Sequence, residues 1–258
     1  MELQEFSDPN VLDGDWRGLL DRYRRALKDF PGLLSMHGAY IDLVSGSPDL
    51  RLVALTRERY LHNLEIGREL GVKYIDFHAN YLPLVDHPSY LPGWVELAGG
   101  LWSLLAEQAA QSGIVLLLEN MWEPGSRYHR AHPRTCPIAV FAGLPRRGTC
   151  GVVFTSADQR VRIRELGGDL VYTHLHNNHG TTDEHLAFGD GVIDFPELLT
   201  LMRALPQPPL FSQTTQPHTD QRQSALFETD TLNLPIRKRD PLSGRVFVEI
   251  TFSLSFTG

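Results

Sequence analysis

A chain of 258 residues, 42% of them hydrophobic, is long enough to bury one sizeable core, and about 250 residues is an ordinary size for a single barrel domain. A net charge of −7 with 21% charged residues argues against sequence-blind nucleic-acid binding, which needs clustered Lys and Arg against phosphate. Two cysteines, Cys136 and Cys150, form no CxxC pair, which disfavours a thiolate zinc site or redox dithiol and suits a reducing compartment.

The opening MELQEF has no apolar core of a signal peptide, and no stretch reaches the ~18 apolar residues of a membrane span. The expected location is therefore cytoplasmic. A strand over 2–6 begins the chain. Residues 14–29 place Trp16, Leu19, Leu20, Tyr23 and Leu27 on one helical face. The run 33–37 (LLSMH) predicts a strand. Thr56 is a candidate N-cap for a helix carrying Tyr60, Leu61, Leu64 and Leu70, with Gly71 just past its end. Strand 72–78 (VKYIDFH) follows. A helix over 94–112 carries Leu97, Leu101, Leu104, Leu105 and Ala109 and stops at Gly113.

Further strands are predicted at 114–119 (IVLLLE), 151–155 (GVVFT) and 170–176 (LVYTHLH). Asp194, Pro196 and Glu197 open a helix over 195–205 in the manner of a capping box. Residues 206–245 are rich in Gln, Thr, Pro and Arg and read as irregular, although PPLFSQTT within them is a candidate strand. Residues 245–254 alternate and read as a strand. Nearly continuous apolar strands separated by amphipathic helices are the rhythm of a parallel α/β sheet.

The informative residues are polar ones at strand ends. His37 ends LLSMH, His78 ends YIDFH, Glu119 ends IVLLLE, and His174 and His176 lie in YTHLH. The loop HLHNNHGTTDEHLAFGDG adds Asp183 and His185 at i, i+2, a spacing that lets both reach one ion. Imidazole and carboxylate are the usual donors to zinc, manganese or iron, and burying several together is costly without a cation. Glu119, at the end of a wholly apolar run, most needs such a partner. His62, His87, His129, His132 and His218 are taken as structural, while His176 and His179 are open between hydrogen-bond partners of the ligands and surface residues. Trp94, Trp102, Trp122, Tyr81 and Tyr128 are pocket or packing aromatics. GxSxG, P-loop and GxGxxG motifs are absent from the sequence.

The segments SMHGAYIDL, DFHANY, LLLENM and HLHNNHGTTDEHLAFGDGVIDF resemble the xylose-isomerase-like barrel superfamily, over about residues 1–200. That superfamily includes sugar-phosphate isomerases and epimerases and the AP endonuclease family 2. The resemblance implies a (β/α)8 TIM barrel with divalent metal at the C-terminal rim. It implies that His37 and His78 hold one metal, that Glu119 bridges to a second, that His174 serves the second, and that Asp183 and His185 serve a third. Two departures stand out. In GVVFTSADQ, Thr155 occupies the place of an expected Asp and Asp158 that of an expected His. The expected final Glu is replaced by Gln213, or supplied from far downstream by Glu249. ELQEF matches the second strand of the family, so the first β/α unit is expected to be absent, its place open to the strand at 245–254.

The expectation is a metal-dependent isomerase or epimerase of a small sugar or sugar phosphate, with Glu119 as the catalytic carboxylate. The expected metal is zinc or manganese, with magnesium or cobalt as substitutes. The expected partner is a small carbohydrate; nucleic acid and membranes are disfavoured, and a homodimer is open. Two other readings are an endonuclease IV-like phosphodiesterase and a degenerate barrel without turnover.

Overall fold

The computed structural model describes residues 1–81, 89–120, 136–141, 160, 163–164, 166–167, 170–179, 184–213, 237–239 and 246–248. The chain divides into two compact units, Met1–Ile138 and Ala139–Gly258.

The first unit is a run of parallel strands with helices between them. In chain order come β1 (Glu2–Leu3), a 3-10 turn (Glu5–Ser7), α1 (Pro9–Asp13), α2 (Trp16–Ala26), β2 (Ser35–His37), α3 (Leu50–Leu70), β3 (Tyr74–His78), α4 (Tyr90–Gln111) and β4 (Val115–Asn120). β5 (Cys136–Phe141) spans the boundary between the two units. β1 pairs with β2, β2 with β3 and β3 with β4, all parallel. Register aligns His37 with Asp76, and His78 with Glu119. Lateral neighbours in a parallel sheet share a face, so these polar side chains stand together.

The opposite face of β3 meets the helices. Ile75 and Phe77 are fully buried there. Phe77 packs on Tyr60 of α3 with ring centroids 4.5 Å apart, and Tyr60 stacks on Trp102 of α4 at 5.0 Å. These rings dominate the apolar area removed from water. Trp94 and Trp102 are buried in the core.

Helix boundaries follow local chemistry. Asp15 caps α2 by accepting from Gly18 N–H. α3 starts earlier than the sequence reading: Asp49 caps it, accepting from Arg51 N–H. Thr56 is a buried residue inside α3 whose hydroxyl accepts from Val44 N–H at 3.0 Å. The tertiary bond to the β2–α3 loop claims Thr56, and the cap is Asp49, which the sequence reading did not single out. Gly71 does end α3, with φ of 67°. Leu97, expected on the buried face of α4, is 46% exposed, while Ala98 and Leu101 are buried. The strand at 2–6 shortens to two residues because Glu5–Ser7 close a 3-10 turn.

The second unit contains β6 (Tyr172–Leu175), α5 (Phe195–Arg203), β7 (Leu210–Gln213), β8 (Arg237–Arg239) and β9 (Val246–Val248). β6 and β7 are parallel, with His174 opposite Ser212. Asp194 caps α5 by accepting from Glu197 N–H at 3.1 Å, as the capping box predicts. Leu175, Phe188, Ile193, Leu198 and Phe211 build this unit's core. β7 falls on the candidate strand PPLFSQTT, within the stretch otherwise read as irregular. Val171 and Leu210 are linked by a backbone hydrogen bond of 2.9 Å, a long-range pairing that local composition does not announce. The alternating terminal segment supplies β9, which pairs antiparallel with β8 in a two-stranded sheet. Among the described residues, 246–248 of that segment pair with β8 and are not part of the seven-stranded sheet. The predicted strand at 151–155 lies outside the described residues.

Candidate metal centre

Three of the predicted ligands meet in the first unit. His37, His78 and Glu119 each offer a donor atom within 4.8 Å of the other two. Glu119 Oε2 lies 3.0 Å from His78 Nε2 and 3.4 Å from His37 Nε2. Zinc bonds of about 2.0–2.1 Å at tetrahedral angles separate donor atoms by about 3.3 Å. The two carboxylate–imidazole spacings lie close to that value.

Each donor is placed by its strand end. His37 closes β2, and its Nδ1–H donates to the Gly38 carbonyl oxygen at 2.8 Å. A carbonyl only accepts, so this bond commits the proton to Nδ1 and turns Nε2 toward the carboxylates. Gly38 is required at this point. A Cβ there would fall well inside contact distance of the Phe77 ring, and Gly38 N–H donates to Asp76 O at 2.7 Å. The loop that follows is tied down at Ala39, whose N–H donates to Asn63 Oδ1 at 2.8 Å. Asn63 in turn donates to Phe6 O at 2.9 Å. Ser45 Oγ donates to Ala79 O at 2.5 Å, joining the loops after β2 and β3.

Two further carboxylates, which the sequence reading passed over, lie on the same face. Asp76 and Glu2 are fully buried, and Asp76 Oδ2 is 3.5 Å from His37 Nε2. The signal was present in YIDFH: Asp76 precedes His78 by two residues, the period of a strand face. Three buried carboxylates beside two imidazoles leave excess negative charge, which a divalent cation suits.

His37 records that imbalance. Burial alone opposes its charged form, yet its pKa is pushed up to about 9. Burial is the largest single influence, but the Asp76 charge, the hydrogen bond and charge of Glu119 and the charge of Glu2 together outweigh it. Without metal, a proton on His37 neutralises part of this cluster.

Tyr40 was not singled out from the sequence either. Its ring stacks on His78 with centroids 4.4 Å apart and 28° between planes, and meets His37 edge-on at 5.1 Å.

His174 is buried on β6 in the second unit, with its ring edge-on to Tyr172 at 5.7 Å. His185 stacks on the buried His176 at 3.9 Å and 17°. The loop carrying His185 is drawn back to β6 by Asn177, whose amide donates to Phe188 O at 2.6 Å and accepts from Ile193 N–H at 3.0 Å. Asp158, Asp183, Thr155 and Glu249 lie outside the described residues, as do His87, His129, His132, His218, Trp122 and Tyr128. His62 packs edge-on against Trp16 at 4.6 Å, in keeping with a structural role. His179 donates its backbone N–H to Glu184 at 2.7 Å on the surface. Among the described residues, the left-handed φ values of non-glycine residues occur at Asp42, Asn80 and His185. All three lie in loops leaving strands that carry candidate ligands, where strained backbone tends to gather.

The family model described as xylose isomerase-like TIM barrel matches residues 2–227. An uncharacterized protein of Methanocaldococcus jannaschii, MJ1311, is 24% identical over 194 residues, covering 71% of this chain and 65% of that protein's length. The TTHB071 protein from Thermus thermophilus, studied after soaking with ZnCl2, is 24% identical with a TM-score of 0.68, covering 87% of this chain and 85% of that one. A D-tagatose 3-epimerase-like protein is 18% identical with a TM-score of 0.69, covering 90% and 88%. The 3-keto-D-glucoside 4-epimerase YcjR from E. coli is 18% identical with a TM-score of 0.58, covering 87% and 95%. At these identities the structural likenesses establish the fold. No helix among the described residues is long and apolar enough to cross a membrane.

Proposed function

The chain belongs to the xylose isomerase-like TIM barrel family, and from that premise we propose that it is a metal-dependent isomerase or epimerase of a small sugar or sugar phosphate. The observation that carries this reading is the convergence of His37, His78 and Glu119 at the C-terminal ends of three adjacent parallel strands. Function in such barrels collects at that rim. Structural neighbours that carry epimerase names support the substrate class.

His37, His78 and Glu119 would hold the metal, zinc or manganese by donor type. When bound, it supplies a Lewis acid that polarises the substrate's carbonyl and hydroxyl oxygens. Glu119 is the residue that moves the proton. Its carboxylate accepts a carbon-bound proton next to the carbonyl and returns it to the neighbouring carbon in isomerisation. In epimerisation the same carbon is reprotonated from its other face by a second acid. His37 and His78 hold Glu119 between them, and Asp76 and Glu2 set the negative charge of the floor. His174, Asp158, Asp183 and His185 remain proposed ligands on the same grounds of resemblance.

The test is turnover of keto- and aldo-sugars and their phosphates by metal-loaded protein, with a Glu119→Gln control. Loss of about 100-fold or more in kcat with Glu119→Gln is expected for a residue that transfers the proton. Metal-loaded protein that turns over none of these substrates would refute the reading.

A second reading has one observation in its favour. The paired imidazoles His37 and His78 suit a metallo-phosphodiesterase, although the net charge of −7 does not suit DNA. Chelator-sensitive cleavage of duplex DNA at an abasic site would transfer the assignment to that class.

A further inference from the structure

The proposed metal site depends on two imidazoles, and they are not held alike. His37 is deep, with its side chain 7% exposed, and a backbone carbonyl fixes its Nδ1. His78 stands nearer the surface, its side chain 14% exposed. The flat face of His78 lies against Tyr40 at 4.4 Å, and the same tyrosine meets the His37 ring at 5.1 Å. One aromatic ring thus touches both imidazoles, while the imidazoles lie 5.1 Å from each other.

We propose that Tyr40 is a positioning residue, whose ring clamps His78 and His37 in the orientation that presents both Nε2 atoms to one cation. This rests on the metal reading above and goes beyond it, because Tyr40 donates nothing to the metal.

Three observations carry the proposal. The first is the geometry: a near-parallel stack on one ring and an edge contact on the other restrict both χ2 rotations, the motions that would swing Nε2 away. The second is the mounting of Tyr40. The loop is pinned on both sides of it, by Gly38 N–H to Asp76 O and Ala39 N–H to Asn63 Oδ1 before it, and by Val44 N–H to Thr56 Oγ1 after it. A clamp works only from a rigid support. The third is the absence of another task. Tyr40 is 36% exposed, so it is not a core ring. Among the described residues its hydroxyl makes no hydrogen bond. The contact is therefore a property of the ring, and phenylalanine should reproduce it.

The experiment measures zinc affinity by chelator competition, together with the visible spectrum of the cobalt-loaded protein, for wild type, Tyr40→Phe and Tyr40→Ala. Tyr40→Ala is expected to weaken zinc binding by about 3- to 10-fold, the range of a ring–ring contact, and to change the cobalt spectrum. Tyr40→Phe is expected to stay within about twofold of wild type with an unchanged spectrum. A protein weakened only through loss of fold would show altered thermal unfolding of the metal-free state, which neither substitution at this exposed position should produce. Tyr40→Ala with wild-type affinity and spectrum overturns the proposal while leaving the metal site standing. Tyr40→Phe as weak as Tyr40→Ala also overturns it, since the hydroxyl would then be responsible. Wild-type protein that binds no zinc overturns the metal reading and this inference with it.

Discussion

Metal binding at this site should compete with a proton, and the competition can be measured. His37 has a pKa of about 9 in the metal-free fold, so only about 1% of it is deprotonated at pH 7. Nε2 must lose its proton before it can bind a metal. The apparent zinc affinity should therefore rise about tenfold per pH unit between pH 7 and 9 and level off above that. Isothermal titration in buffers of different ionisation heat should give about one proton released per zinc at pH 7.5, and about a quarter of a proton at pH 9.5. Stability runs the other way. The folded pKa lies above the free value of 6.5. The stabilisation from charged His37 is thus fully present below about pH 6.5 and is lost as the pH rises through about 9. Asp76 provides the strongest upward influence, so Asp76→Asn should move the whole affinity profile to lower pH. A zinc affinity that is flat from pH 7 to 8.5, or metal uptake without proton release, would refute the account of His37 as the proton holder.

Other predictions concern what positions the site. Gly38→Ala forces a methyl into the Phe77 ring and should cost about 1–3 kcal/mol in denaturant unfolding, with weaker zinc binding as β2 shifts. Asn177→Ala leaves Phe188 O and Ile193 N–H without their amide partner. It should cost about 2–4 kcal/mol, read by chemical denaturation. Asp194→Ala removes the cap of α5 and should lower stability by about 1 kcal/mol without changing zinc affinity.

Much of the site was legible before any coordinates. His37, His78 and Glu119 end apolar runs, and a polar residue there has few structural reasons to exist. Asp76 was equally legible by the two-residue period of its strand, but a carboxylate inside VKYIDFH is easily read as a surface position when the strand's two faces are not yet distinguished. Glu2 gave less warning, since a two-residue strand has almost no pattern. Tyr40 gave none, because its stacking on a residue one whole β/α unit downstream is set by how two loops fold back.

The helix boundaries divide along the same line. Gly71 and Asp194 act through their own neighbours, so the sequence marked them correctly. Thr56 and Leu97 did not follow their local patterns. Thr56 was recruited by Val44 N–H, and Leu97 was left outside by the packing of α4. β7 and β9 depend on partners distant in sequence, and pairing of that kind costs loop entropy that no local window displays.

The sequence by itself determined the parallel α/β rhythm, the family and the three candidate ligands of the first unit, because each is written in strand periodicity and strand-end chemistry. Tertiary structure alone decided that those ligands lie within 4.8 Å of one another, that Asp76 and Glu2 deepen the charge around His37, and that Tyr40 spans both imidazoles. These are properties of distance and burial, and only the packed chain brings them into being.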